Sequence, residues 1–497
     1  MNTISDKLVK GSLWLSGTRA IVNLLTTLST FILARYLTPE DFGLVAIGTT
    51  LLLIVTSLTE LSLTQALVRH DSLDDSHLNT AWTLNALRGL IAFFLFAGSA
   101  HPIAGMYEDP RLAGIMLALG ISLLLSGLVN PRLVTLQRQL IFRQEFVLGV
   151  SQKLLGFIAS VIVAVIYQSY WALIVGILTS QAVNIAVSYW LLPFRPRFSL
   201  SRTRELLSFS IWLTAGAIVN TLNWRFDLLL VGKLLGSTAV GNYSVGSNLA
   251  VVATREAVAP LTQTVYPSFA GIKHDPVRLR SAYQRVQTLI TAIALPAGIG
   301  MAILADRVVI LALGPNWTQA ILVVQVLASV FALQTLGSLV QPLGMAKGET
   351  RRLFVRDTQM FFVRIPIILG GLLLYGLIGV LIARVVTGLL AACVNMSLVR
   401  RFIDIPILTQ ISANFRALCS VTVMALTVSS VSGQLAPPSD LGASILQISA
   451  LVATGALAYI ASNVLLWIAM RRPAGPETEA GRILSQILSK ILQRITG

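Results

Sequence analysis

VLGVSQKLLGFIASVIVAVIY (residues 147–167) and WALIVGILTSQAVNIAVSYWLL (171–192) hold one charged residue between them, Lys153, and are parted only by Gln168, Ser169 and Tyr170. At about 1.5 Å of rise per residue, each run crosses the roughly 30 Å hydrocarbon layer of a bilayer as a helix. The pair reads as a transmembrane hairpin. The pattern extends both ways, with apolar windows at about 12–34, 43–67, 81–105, 112–136, 207–231, 240–266, 286–308, 317–340, 355–375, 378–399, 413–433 and 445–470. That predicts about 14 crossings. Turn residues fall between the windows, at Thr38-Pro39-Glu40-Asp41, Asp109-Pro110, Pro193 with Pro196, Gly314-Pro315 and Pro437-Pro438. Composition agrees: 55% of the 497 residues are apolar and 12% charged, with a mean hydropathy of +0.78, against about 25% charged in a soluble domain. The fold class is all-α integral membrane, with no soluble catalytic domain.

The net charge of +16 would suit nucleic acid, but its distribution argues against such a partner. With the N-terminus in the cytoplasm, 26 Lys and Arg fall in cytoplasmic segments and 4 (Arg35, Arg111, Lys233 and Arg307) in outer loops. This is the positive-inside pattern. It predicts a multi-pass protein of the bacterial inner (plasma) membrane with both termini cytoplasmic. The apolar stretch after Ser12 contains Arg19 and no small-residue cleavage site, so it reads as a first membrane helix and not a signal peptide. Trp82, Trp171, Trp190, Trp317 and Trp467 fall near expected helix ends, where their rings favour the interface. In the tail, Ile483, Leu484, Ile487, Leu488 and Ile491 recur at helical spacing opposite Arg482, Lys490 and Arg494. That predicts a cytoplasmic amphipathic helix over 477–497 lying on membrane lipids; a partner-binding helix is the alternative.

The chain also repeats itself. Trp14-Leu-Ser-Gly-Thr-Arg-Ala-Ile-Val-Asn23 resembles Trp212-Leu-Thr-Ala-Gly-Ala-Ile-Val-Asn220, and Arg35, Leu37 and Gly43 match Lys233, Leu235 and Gly241 at a constant offset of 198. Six expected spans separate the copies, so both run the same way. Such parallel repeats form two lobes related by an axis along the membrane normal, a transporter architecture. The expected division is an N-terminal lobe at 1–196 (helices 1–6), a second six-helix lobe at 197–405, and two C-terminal helices at 406–470.

Seven basic residues fall inside expected spans (Arg19, Arg88, Lys153, Arg225, Arg255, Arg364 and Arg384), against three acidic ones (Glu60, Asp227 and Glu256). Each costs about 2.5–3.5 kcal/mol on insertion scales, so such groups face water or a partner. The positive surplus predicts an anionic substrate in an inter-lobe cavity, and pyrophosphate suits arginine's forked donors. Arg19, Arg88, Arg255, Arg364 and Arg384 are the candidate ligands, although Arg88 is close enough to a helix end to snorkel. Lys153 reads as interfacial and Arg225 as a helix-end ion pair. Asp227 and Glu60 are candidates either for H+ or Na+ coupling or for pairing with the arginines. No P-loop or H-E-x-x-H motif occurs, and His70, His77, His101 and His274 sit in expected loops or helix ends without ligand spacing. Cys393 and Cys419 give neither a disulfide framework nor a metal spacing. No catalytic residue, metal or cofactor is expected.

Ala34-Arg-Tyr-Leu-Thr-Pro-Glu-Asp-Phe-Gly43 resembles the first outer loop of the Wzx-type oligosaccharide flippases, within the multidrug/oligosaccharidyl-lipid/polysaccharide exporter superfamily. Leu136-Gln-Arg-Gln-Leu-Ile-Phe-Arg143 is similar to that family's basic loop after the fourth span. Phe226-Asp-Leu-Leu-Leu-Val-Gly-Lys-Leu-Leu-Gly236, Val240-Gly-Asn-Tyr-Ser244 and Tyr266-Pro-Ser-Phe-Ala270 resemble motifs of its second lobe. The branch most resembled handles colanic-acid-like exopolysaccharides. The resemblance implies a flippase that moves an undecaprenyl-pyrophosphate-linked repeat unit to the periplasmic leaflet, working beside a polysaccharide polymerase and a chain-length regulator. Two rivals share the topology: a lipid II-type flippase and an ion-coupled multidrug antiporter, whose cavity is expected to be acidic. A membrane polymerase or ligase is more remote, because it would need a sizeable outer loop.

Overall fold

The computed structural model describes residues 4–60, 63, 67, 74–139, 141–207, 211–436, 438 and 440–471; the expected tail helix at 477–497 lies outside them. Among the described residues all regular structure is helical. The chain divides into two compact units, 1–245 and 246–497.

The first unit contains α1 (Ile4–Tyr36), α2 (Pro39–Thr59), α3 (Asp75–Tyr107), α4 (Arg111–Gly127), α5 (Leu133–Gln139), α6 (Phe142–Tyr167), α7 (Trp171–Leu191), α8 (Thr203–Leu207) and most of α9 (Ile211–Val251). The second continues through a π-helical turn, Val252–Glu256, into α10 (Ala257–Gly271), then α11 (Pro276–Ile303), α12 (Ala305–Leu313), α13 (Thr318–Gln334), α14 (Val340–Ala346), α15 (Thr350–Ile403), α16 (Ile407–Ser412), α17 (Phe415–Gln434) and α18 (Leu441–Ala469). Among the described residues ten helical segments are long and apolar enough to cross a membrane. The exterior suits lipid: Phe94, Leu95, Leu374 and Leu457 are all more than 60% exposed, an apolar coat unlike the surface of a soluble monomer.

Local chemistry explains most boundaries. Thr38 caps α2: its hydroxyl accepts from the Asp41 amide while Asp41 Oδ2 accepts from the Thr38 amide at 2.9 Å, with Pro39 preset at the first helical position. Elsewhere the structure departs from the sequence reading. The outer loop expected near 232–239 collapses to one residue, because Gly236 adopts φ 82, ψ 175 and folds α9 back on itself between the arms 211–235 and 237–251. α15 folds back likewise at Tyr375 and Gly376, close to the expected break. The span expected at 112–136 stops at Gly127. There Asn130 turns the chain, its Nδ2 donating to the carbonyls of Ser188 and Leu192. Trp317, expected at the interface, is fully buried within the second unit.

Residues matched at the offset of 198 meet in one contact. A Cβ on Gly43 would overlap the carbonyl oxygen of Ser237, and a Cβ on Gly241 would overlap that of Pro39. Pro39 and Ser237, like Gly43 and Gly241, are separated by the repeat offset of 198. Each copy therefore offers the other the same two groups, as in an isologous contact, and only glycine permits such an approach.

Candidate functional site

The second unit brings three of the sequence-selected arginines together. Arg255 lies on the π-helical turn Val252–Glu256, a local i→i+5 irregularity often found at functional sites. Its Cζ sits 4.7 Å from the ring centroid of Phe331, and Arg384 Cζ approaches the same ring at 5.6 Å. Both distances are within cation–π range. Arg364 and Arg384 are buried on opposite arms of α15. The arms meet at glycine, since a Cβ on Gly379 would overlap the Gly371 carbonyl. Arg255 feels the charges of both Arg384 and Arg364.

Like charges held this close in a low-dielectric interior repel strongly. The π-face of Phe331 offsets part of that repulsion, and a multivalent anion would offset far more. Forked guanidinium groups of this kind suit the oxygens of a phosphate or pyrophosphate. Phe331 was not marked by the sequence, because it lies in the apolar run of α13 and only the fold makes it a shared floor.

Arg19 and Arg88 belong to the first unit. Arg19 is exposed on α1. Arg88 is midway along α3, deeper than its expected place near a helix end, because α3 begins at Asp75. Its Nη2 donates to Ser126 Oγ at 3.4 Å, and it feels the charge of Glu60. Glu60 is the exposed C-cap residue where α2 ends, its extended backbone (ψ 127) closing the helix. Asp227 is buried on the first arm of α9, where Oδ2 accepts the Tyr243 hydroxyl at 2.5 Å.

One cluster escaped the sequence reading. His77 is buried in the first turn of α3, with Nδ1 2.5 Å from Asp74 Oδ1 and Nε2 3.2 Å from Glu205 Oε2. Arg202 joins both carboxylates, at 3.1 Å from Glu205 and 3.9 Å from Asp74. Hydrogen bonds from Ser76 and the His77 amide hold the Asp74 carboxyl well below the usual range. Burial pushes Glu205 up, but the His77 hydrogen bond and the Arg202 charge outweigh it and lower that carboxyl too. This knot ties the chain after α7 to the start of α3. Among the described residues no group of His, Cys, Asp and Glu has the arrangement of a metal site.

Residues 32–322 match the family described as polysaccharide biosynthesis protein. The chain belongs to that family. Members and relatives are similar over much of its length. The lipopolysaccharide biosynthesis protein WzxC of Escherichia coli (strain K12) is 26% identical over 386 residues, 76% of this chain and 78% of that protein. The succinoglycan biosynthesis transport protein ExoT of Rhizobium meliloti (strain 1021) is 27% identical over 295 residues, 58% of this chain and 59% of that protein. Among solved structures, the lipid II flippase MurJ in an inward closed conformation aligns with a TM-score of 0.73 at 14% identity, over 93% of this chain and all of that one. An inward-facing multidrug resistance transporter of the MATE family aligns with a TM-score of 0.55 at 14% identity, over 78% of this chain and 98% of that one. The family member thus has the fold of these transporters and is a multi-pass membrane protein.

Proposed function

We propose that this protein flips an undecaprenyl-pyrophosphate-linked oligosaccharide from the cytoplasmic to the periplasmic leaflet of a bacterial inner membrane, by alternating access. In this reading the chain crosses fourteen times with both termini cytoplasmic. Arg255 and Arg384, which share the ring of Phe331, and Arg364, whose charge Arg255 feels, hold the pyrophosphate. That convergence carries the proposal: guanidinium groups brought together within an apolar bundle present forked donors suited to the oxygens of a pyrophosphate. The kinship to WzxC and ExoT supports a polysaccharide precursor as the cargo. Asp227, bonded to Tyr243, is the acid we assign to H+ or Na+ coupling. A polymerase and a chain-length regulator are the partners expected around the product.

Transport of a fluorescent lipid-linked oligosaccharide into the outer leaflet of proteoliposomes tests the reading. R364Q and R384Q should each lower the rate at least tenfold, the loss of about 1.4 kcal/mol or more expected for a charge-assisted contact. Wild-type rates in both variants would remove the arginine site. The same vesicles loaded with lipid II address the second reading, favoured by the likeness to MurJ over 93% of this chain. Faster movement of lipid II than of the oligosaccharide carrier would replace the first reading with the second.

A further inference from the structure

At the arginine-rich end of the first unit, the chain leaving α7 forms one wall of a pocket of about 430 Å³ lined by Asp75, Asn79, Arg132, Phe194, Arg195 and Arg197. Arg132 is fixed there. It donates to the Pro193 carbonyl at 2.8 Å and to Asp75 at 3.1 Å, with its guanidinium 5.3 Å from the Phe194 centroid. Asn79 holds the wall by accepting the Arg197 amide at 2.9 Å. The guanidinium groups of Arg195 and Arg197 do no such work: among the described residues no carboxylate lies within salt-bridge distance of either. Trp190 and Phe198, flanking these arginines in sequence, are 75% and 84% exposed.

The second unit holds a similar arrangement at the end of α15. Where α15 finishes, a pocket of about 500 Å³ is lined by Ser397, Arg400, Arg401, Asp404 and Ile407. Arg280, bonded to the pocket residue Asp404, donates to it at 3.2 Å and to the Ile403 carbonyl at 2.6 Å, a pairing of carbonyl and carboxylate like that of Arg132 with Pro193 and Asp75. Arg400 and Arg401, like Arg195 and Arg197, have no carboxylate within salt-bridge distance among the described residues.

We propose that the pocket of Arg132, Arg195 and Arg197 binds the phosphate of an anionic phospholipid headgroup. The Arg400 and Arg401 pocket does the same in the second unit. The volume suits a headgroup, and basic pockets between membrane helices at the cytoplasmic face take anionic headgroups. Exposed aromatic rings beside the arginines belong at the level of those headgroups. Neither pocket is lined by Arg255, Arg364 or Arg384, and this reading stands whatever the cargo is.

The test uses the full chain in mild detergent, titrated with short-chain phosphatidylglycerol or phosphatidylcholine and followed by native mass spectrometry. R195Q/R197Q should weaken phosphatidylglycerol binding about 30-fold, taking about 1 kcal/mol per arginine at a membrane surface and 1.4 kcal/mol per tenfold change. Phosphatidylcholine binding should not change, and R400Q/R401Q should reproduce the pattern. Equal affinity in wild type and both double variants would overturn the proposal. So would displacement of phosphatidylglycerol by inorganic phosphate alone, which would mark a free-anion site. Displacement by a short polyprenyl pyrophosphate, with the same arginine dependence, would make the pocket a substrate entrance and overturn it too.

Discussion

The two copies of the repeat turn the chain back at the same place by different chemistry. Thr38 and Gly236 stand 198 residues apart. In the first copy Thr38 stays at φ −84 and is fixed by its bonds with Asp41, with Pro39 opening α2. In the second, Ala239 replaces Asp41, no such box can form, and Gly236 makes the turn through a φ of 82 that side chains rarely adopt. One turn is built from side-chain hydrogen bonds and the other from the absence of a side chain. Both lead into the same reciprocal contact, Gly43 against Ser237 and Gly241 against Pro39. Architecture is thus shared where backbones touch and free to diverge where they only turn.

Substitutions can break that comparison in graded steps. Gly241→Ala or Gly43→Ala forces a Cβ into a backbone carbonyl that cannot step aside. Each should destabilise the protein by about 3 kcal/mol, the upper part of the range for overpacking. Thermal unfolding of the purified protein reads this against Gly98→Ala, whose Cβ would meet nothing within 4 Å. Similar stability in all three would remove the close contact. Gly236→Ala should cost about 2 kcal/mol, since it strains one turn and leaves the crossing intact. Thr38→Ala should cost about 1 kcal/mol through loss of the cap. An unchanged unfolding temperature in Thr38→Ala would remove the assignment of that turn to its side-chain bonds.

The gentlest probe is pH, at the turn between α3 and α4 in the first unit. Hydrogen bonds from the Arg111 side chain hold the Asp109 carboxyl below its ordinary range, and Arg111 also pairs with Glu40 in the first turn of α2. A carboxyl depressed in the folded state contributes stability above its ordinary pKa of about 3.9 and loses it as pH falls further. Unfolding temperatures should therefore decline below about pH 4, and Asp109→Asn should flatten the decline. An unchanged acid limb in that variant would count against this network.

Apolar runs, proline punctuation and the charge asymmetry made the helical membrane fold legible. Arg255, Arg364 and Arg384 were legible as candidates because charge in an apolar window needs a reason. What stayed hidden depended on contacts distant in sequence or on single residues. Gly236 is one glycine among 36, and within the break expected over 232–239 nothing local concentrates the reversal on that residue. The π-helical turn at Val252–Glu256 has no compositional signature, and Phe331 resembles any other apolar residue of α13. His77 looked like a loop histidine because Glu205, its second partner, lies 128 residues away.

The self-matching patch of Pro39 and Gly43 with Ser237 and Gly241 carries a historical implication. A surface that complements itself requires no second surface to arise. For a half-length ancestor bearing a proline carbonyl and a glycine at these positions, an identical chain is already a fitting partner. Fusion would then have made a pre-existing association permanent, leaving each turn to drift toward its own solution.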